Sequence, residues 1–205
     1  MENLSVPKDK YIIGLTGNIA TGKSAVMNLA IQRGVLALDA DMIVHEILES
    51  DGEVQEAIVN IFGPTVRQAD GRIIHPTLGK IVFSNPQALR QLEAITHPAV
   101  HRQLTLRIKE SQSSIVMIEA IKLLEGKLHG ICQMIWVTRC SRERQIERLR
   151  ICRGMDEESA IMRVDSQAPQ EDKLLHADVV IDTDGVMDDT RRQFEQAWSR
   201  VPQPE

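Results

Sequence analysis

The chain has 205 residues, 42% hydrophobic, 26% charged and 3% aromatic. That is enough to bury one substantial core, and it excludes a disordered or fibrous chain. A formal net charge of -5 gives no overall attraction to nucleic acid or to an anionic membrane, so any phosphate site has to be built from local groups.

The N-terminal MENLSVPKDK is polar and lacks the apolar stretch of a signal peptide. No later apolar run approaches the roughly 18 residues that span a bilayer, so a cytoplasmic location is expected. Apolar runs of strand length stand at 11–15, 35–38, 115–118, 134–137 and 179–181. Each is nearly continuous rather than alternating, the pattern of parallel strands buried on both faces. Helical patterns lie between them, so the order reads β, α, β, several α, β, α, β, α, β, α. This predicts an α/β fold with a doubly wound parallel sheet of about five strands, as one domain over 1–205. The second and third runs are about 75 residues apart, too far for one crossover helix, which predicts a helical insertion over about 42–113. Gly63-Pro64, Asp70-Gly71, His75-Pro76, Asn85-Pro86 and His97-Pro98 punctuate that insertion into short helices. Cys132, Cys140 and Cys152 are odd in number and lack metal-ligand spacing, so reduced and mostly buried thiols are expected. The terminal VPQPE reads as a frayed end.

Between the first strand and a helix beginning near Lys23 lies Gly17-Asn18-Ile19-Ala20-Thr21-Gly22-Lys23-Ser24, a full match to GxxxxGK[ST]. Glycines let the backbone curl around an anion, successive N–H groups point into the curl, and the helix N-terminus adds positive potential. Lys23 brings a full charge for the β and γ phosphates, and the Ser24 hydroxyl suits Mg2+. The alternative is a glycine-rich turn that happens to carry Lys-Ser, a match expected in roughly 1% of chains of this length. No Asn-Lys-x-Asp sequence selects guanine, so ATP is the expected nucleotide, held by residues 17–24 and Ala25.

LALDADMIVHEIL places Asp39 and Asp41 at the end of the second strand, the edge where open α/β sheets bind ligands. At i, i+2 in an extended segment both carboxylates point the same way. One can serve Mg2+ while the other accepts a proton from an attacking hydroxyl. Either could instead cap the following helix.

GLTGNIATGKS, then DAD, LEAITHP, an acidic turn ending in Glu125, an Arg-rich segment reaching Gln167, and ADVVID together resemble the dephospho-CoA kinase family over roughly residues 10–195. The resemblance implies a P-loop NTPase-like fold, an acceptor-binding helical insertion and an Arg-rich lid over about 141–168. It implies phosphorylation by ATP of the ribose 3'-hydroxyl of dephospho-CoA, the last step of coenzyme A synthesis. Asp41 corresponds to the family's base and Asp39 lies beside it, with Ser24 and Asp39 as Mg2+ residues. His97 lines the acceptor pocket, with Glu125 as a further acceptor residue. Taken without the family, His97 reads as a capping or core histidine, Glu119 as a metal-directed carboxylate at a strand end, and Glu125 as a solvated charge. Six arginines lie between Arg139 and Arg153; helical spacing puts Arg144 and Arg148 on one face, and Arg148 matches the lid arginine. The planar guanidinium suits phosphate oxygens, although a solvated helix with Glu143 and Glu147 as ion-pair partners would look similar.

The chain departs from the family at Asn18 and Ala20, where Gly is common, at His75 and Cys152, where Arg is common, at Ile121, where Pro is common, and at Thr183, where Asn is frequent. The expected partners are ATP and dephospho-CoA, with no nucleic acid, membrane or obligate protein partner. Two other readings stay open from the residues: a P-loop kinase for another small acceptor, and a nucleotide-binding regulatory module without chemistry.

Overall fold

The computed structural model describes residues 7–202. Its strands are β1 (Tyr11–Thr16), β2 (Leu36–Asp39), β3 (Ile115–Glu119), β4 (Met134–Arg139) and β5 (Val179–Asp182). All neighbours pair in parallel, in the order β2-β3-β1-β4-β5. Each strand runs one or two residues past its apolar run, through Thr16, Asp39, Glu119, Arg139 or Asp182, so the carboxyl edge of the sheet is polar where its body is not.

The helices are α1 (Lys23–Ile31), α2 (Ala40–Ser50), α3 (Gly52–Phe62), α4 (His75–Phe83), α5 (Pro86–Glu110), α6 (Arg142–Arg153), α7 (Glu157–Asp165), α8 (Gln170–Leu174) and α9 (Met187–Trp198). The described residues form two compact units, 7–39 with 111–202, and Ala40–Glu110.

In the sheet unit, Ile13, Leu15, Met117, Trp136 and Ile181 share one core with Val26 and Ala30 of α1 and Phe194 and Ala197 of α9. Trp136 meets Phe194 edge-on at 5.6 Å, and Phe194 stacks on Trp198 at 5.6 Å. The alternate residues Ile12, Val116 and Ile118 are fully buried too, and period-two alternation puts them on the opposite face. Burial of both faces is why these strands read as continuous apolar runs.

In the helical unit the buried residues recur every fourth position: Ile43 and Ile47, Val54 and Ile58, Leu78 and Val82, then Val100, Leu104 and Ile108. That spacing makes one apolar stripe per helix, and α2, α3 and α4 each pack on the long α5. The turn chemistry acts as expected at most breaks. Pro64 follows the end of α3, Asp70-Gly71 turns the chain between bridged Arg67 and Ile73, and Pro76 lies in the first turn of α4. The Asn85 side chain accepts from the backbone of Gln87 and Ala88 at the start of α5.

Four expectations are corrected. His97-Pro98 does not end a helix: α5 continues through Pro98, whose missing N–H frees one carbonyl while the Val100, Leu104 and Ile108 stripe holds the helix down. Between β3 and β4 there is no α-helix among the described residues but turns and a short 3-10 helix, Leu128–Ile131, in a segment broken by Gly126 and Gly130. The C-terminal VPQPE is not wholly frayed, because Val201 is 3% exposed within the sheet core; residues 203–205 lie outside the described residues, as do 1–6 of the polar N-terminus. The three thiols are free, but only Cys140 is buried, whereas Cys132 is half-buried and Cys152 exposed at the solvent side of α6. Burial pushes the Cys132 thiol up to about 12.

Candidate functional site

The loop 17–22 joins β1 to α1 and is built on two glycines with positive φ. Gly17 has φ 152°, and a Cβ there would sit 2.4 Å from Thr138 Oγ1 and 2.6 Å from Thr21 Oγ1. Gly22 caps α1 at φ 86° in the left-handed region, pressed against Thr183. No side chain caps α1, and a helix N-terminus of this kind suits an anion. The Thr21 hydroxyl bonds Thr138 Oγ1 at 2.7 Å and donates to the Asn18 carbonyl at 2.8 Å, and Thr183 Oγ1 donates to the Thr21 carbonyl at 2.9 Å. The curl is therefore clamped from inside the sheet.

Lys23, only 7% exposed, donates to the carbonyls of Gly17 at 3.1 Å and Asn18 at 3.0 Å and lies 3.9 Å from Glu119 Oε1. Its charge thus stands across the mouth of the loop. The connection leaving β1 crosses toward β2, while the one leaving β3 crosses back over β1 to β4. Adjacent strands whose connections part in opposite directions open a crevice at their carboxyl ends, here between the loop and Glu119. In the register of the sheet Glu119 pairs with Leu15 on one side and with Asp39 on the other. Two carboxylates and the exposed Ser24 hydroxyl are hard oxygen donors, a set that fits Mg2+ rather than a thiophilic ion.

A second group of residues holds the loop from above. Gln145, 2% exposed on α6, donates to the Ile19 carbonyl at 2.6 Å, and the Ile19 amide donates to Gln167 Oε1 at 2.6 Å. Arg148 donates to the Ala20 carbonyl at 3.0 Å, to Thr183 Oγ1 at 2.9 Å and to the Thr183 carbonyl at 2.6 Å. The Asn18 side chain donates to the Ala168 carbonyl at 2.8 Å and accepts from Lys173 Nζ at 3.0 Å. Ala20 itself sits at φ 59°, a left-handed position held by a non-glycine residue. The N-terminus of α6 is tied by Asp184, which accepts from the Ser141 amide at 3.0 Å and hydroxyl at 2.8 Å. Those bonds, with Arg144 and Arg148 nearby, hold the Asp184 carboxyl below the usual carboxylate range.

Of the residues expected from sequence, the sheet unit brings together 17–24, Ala25, Asp39 and Arg148. Glu125 is exposed in the turn after β3, its amide bonded to the Lys122 carbonyl. Asp41 is not in an extended segment with Asp39. The strand ends at Asp39 and α2 begins at Ala40, so Asp41 lies in the first turn of a helix, where side chains fan about the axis and the i, i+2 alternation no longer applies. His97 is exposed midway along α5, its ring stacked with His101 at 6.4 Å. Sequence reading passed over Gln145, Lys173 and Thr138 as functional residues, because a lone buried amide, lysine or threonine has no motif around it.

An all-parallel 2-3-1-4-5 sheet carrying GxxxxGK[ST] after its central strand defines a P-loop protein of the kinase type. The dephospho-CoA kinase (CoaE) family profile matches residues 11–189, and the chain belongs to that family. A dephospho-CoA kinase of Carboxydothermus hydrogenoformans is 38% identical over 186 residues, covering 89% of this chain and 90% of that one. One from Bacillus cereus is 38% identical over 188 residues, 90% and 94% of the two chains. Among solved structures, a Thermus thermophilus protein superposes with a TM-score of 0.83 at 28% identity, covering 95% of this chain and 99% of that one. The dephospho-CoA kinase of Campylobacter jejuni gives 0.59 at 26% identity, covering 93% and 97%. Among the described residues no helix is long and apolar enough to cross a membrane.

Proposed function

We propose that the chain transfers the γ-phosphoryl group of ATP to the ribose 3'-hydroxyl of dephospho-CoA, giving coenzyme A and ADP. The observation that carries this is the clamped loop with Lys23 at its mouth, in a chain that matches the kinase family along nearly its whole length. Residues 17–25 wrap the nucleotide phosphates, and Lys23 meets the β and γ oxygens. Ser24 and Asp39, with Glu119 beside Asp39 in the sheet, hold Mg2+, which when bound neutralises phosphate charge. Asp41 accepts the proton of the attacking 3'-hydroxyl as its oxygen bonds to phosphorus and the bond to the ADP oxygen breaks. His97 and Glu125 orient the acceptor. Residues 141–168 act as the lid, with Arg148 fixing the loop through Ala20 and offering its guanidinium to the transferring group; closing it keeps water from the phosphoryl group.

Steady-state kinetics of Asp41→Asn test the assignment. Loss of a general base lowers kcat by roughly 10^2–10^4 with KM for ATP changed only a few-fold. Unchanged kcat would remove Asp41 from the mechanism, and turnover of a different alcohol in place of dephospho-CoA would change the acceptor.

A further inference from the structure

The helical unit holds a set of donor side chains that phosphoryl transfer does not use. His45 and Glu49 stand at i, i+4 on α2, so both leave the same helix face, and His45 Nε2 lies 3.1 Å from Glu49 Oε1. His75, the first residue of α4, meets His45 edge-on with ring centroids 4.5 Å apart and planes at 80°. One ligand atom from each of the three residues lies within 4.8 Å of the others.

We propose that His45, Glu49 and His75 form a binding site for a divalent transition-metal ion of the zinc type, with water completing the coordination. Two imidazoles and one carboxylate are the donor set that Zn2+, Co2+ and Ni2+ favour and that Mg2+ and Ca2+ do not. A tetrahedral ion with bonds of about 2.1 Å needs donors about 3.4 Å apart. His45 and Glu49 are 49% and 53% exposed, so small side-chain rotations close the remaining gap onto the less exposed His75. Arg72 also feels the Glu49 charge but is tied to Asp70 at 2.6 and 2.8 Å, so it does not compete for the carboxylate. An ion here joins α2 to α4, which α3 separates in the chain, on the helix that carries Asp41 one turn before His45.

The test uses the tag-free full chain. Calorimetric titration with ZnCl2 is expected to give one ion per chain, and Co2+ to give the visible absorption of a tetrahedral nitrogen and oxygen site. His75→Ala and His45→Gln should each weaken Zn2+ binding at least tenfold, whereas His129→Ala leaves it unchanged. Zinc at 100 times the wild-type Kd should raise the wild-type melting temperature by roughly 5 °C or more and that of His75→Ala by about half as much or less. If His75→Ala does not fold by circular dichroism, His45→Gln and Glu49→Gln carry the comparison. No binding at 100 µM zinc, or full-strength binding that survives in the variants, overturns the proposal.

Discussion

Asn18 stands where the family commonly has glycine, and its side chain makes the loop dependent on a lysine far along the chain. Asn18 is 5% and Lys173 9% exposed, and their 3.0 Å bond brings a charged donor onto a buried amide oxygen. Replacing Asn18 by Gly strands that ammonium, removing a charged hydrogen bond of about 1.5–3 kcal/mol, and also removes the bond to Ala168, about 1 kcal/mol. The added backbone freedom of glycine costs about 0.5–1 kcal/mol, so the expected loss is about 3–5 kcal/mol. Lys173→Met strands the amide oxygen instead, at about 1–3 kcal/mol. In the double variant neither group is stranded, so the two losses should not add: the coupling energy should be at least about 1.5 kcal/mol. Both tryptophans of the chain, Trp136 and Trp198, lie in the core of the sheet unit, so urea unfolding followed by their fluorescence reports the unit that holds the loop. Coupling below about 0.5 kcal/mol would make Asn18 a spectator and sever the loop from Lys173.

Ala20→Gly should give little net change. Relief of the left-handed strain, about 1–2 kcal/mol, is offset by about 0.5–1 kcal/mol of unfolded-state freedom and up to about 0.8 kcal/mol from the partly buried methyl against the Ile19, Leu149 and Ala160 cluster. The melting temperature should therefore stay within about 5 °C, with KM for ATP within about threefold; a large gain in turnover would contradict this. Asp184→Asn should lower the melting temperature at pH 7. Because the folded carboxyl titrates below its unfolded value near ~3.9, its contribution is complete above that pH and fades as pH falls through the lower folded value. Melts from pH 7 to 3 should show the gap between wild type and variant shrinking only below about pH 4, and a gap that widens with acid would contradict the sign.

The sheet and the phosphate loop were legible because both are local. A strand buried on two faces writes a continuous apolar run, and the loop needs its glycines, lysine and serine side by side. Asp39 and Glu119 read as strand ends, whereas the ends at Thr16, Arg139 and Asp182 were less legible, because these residues are polar for the sake of the edge they form. The pairing of Asp39 with Glu119 comes from sheet register, which no spacing along the chain encodes. The clamp over the loop is less legible still: Gln167 and Lys173 reach residues 148 and 155 positions away, and as residue types they look like ordinary surface side chains. Pro98 misled because helix-breaking chemistry was read without the buried stripe that overrides it.

In the proposed reaction the phosphoryl group ends on the ribose 3'-oxygen of dephospho-CoA. The direct measurement is incubation of the pure chain with γ-labelled ATP, Mg2+ and dephospho-CoA, with the product's phosphate position read by phosphorus–proton NMR. One new phosphomonoester at the 3'-carbon is expected, formed in step with ADP and abolished in Lys23→Met. A phosphate at another position, or ADP formed without any phosphorylated acceptor, would contradict it.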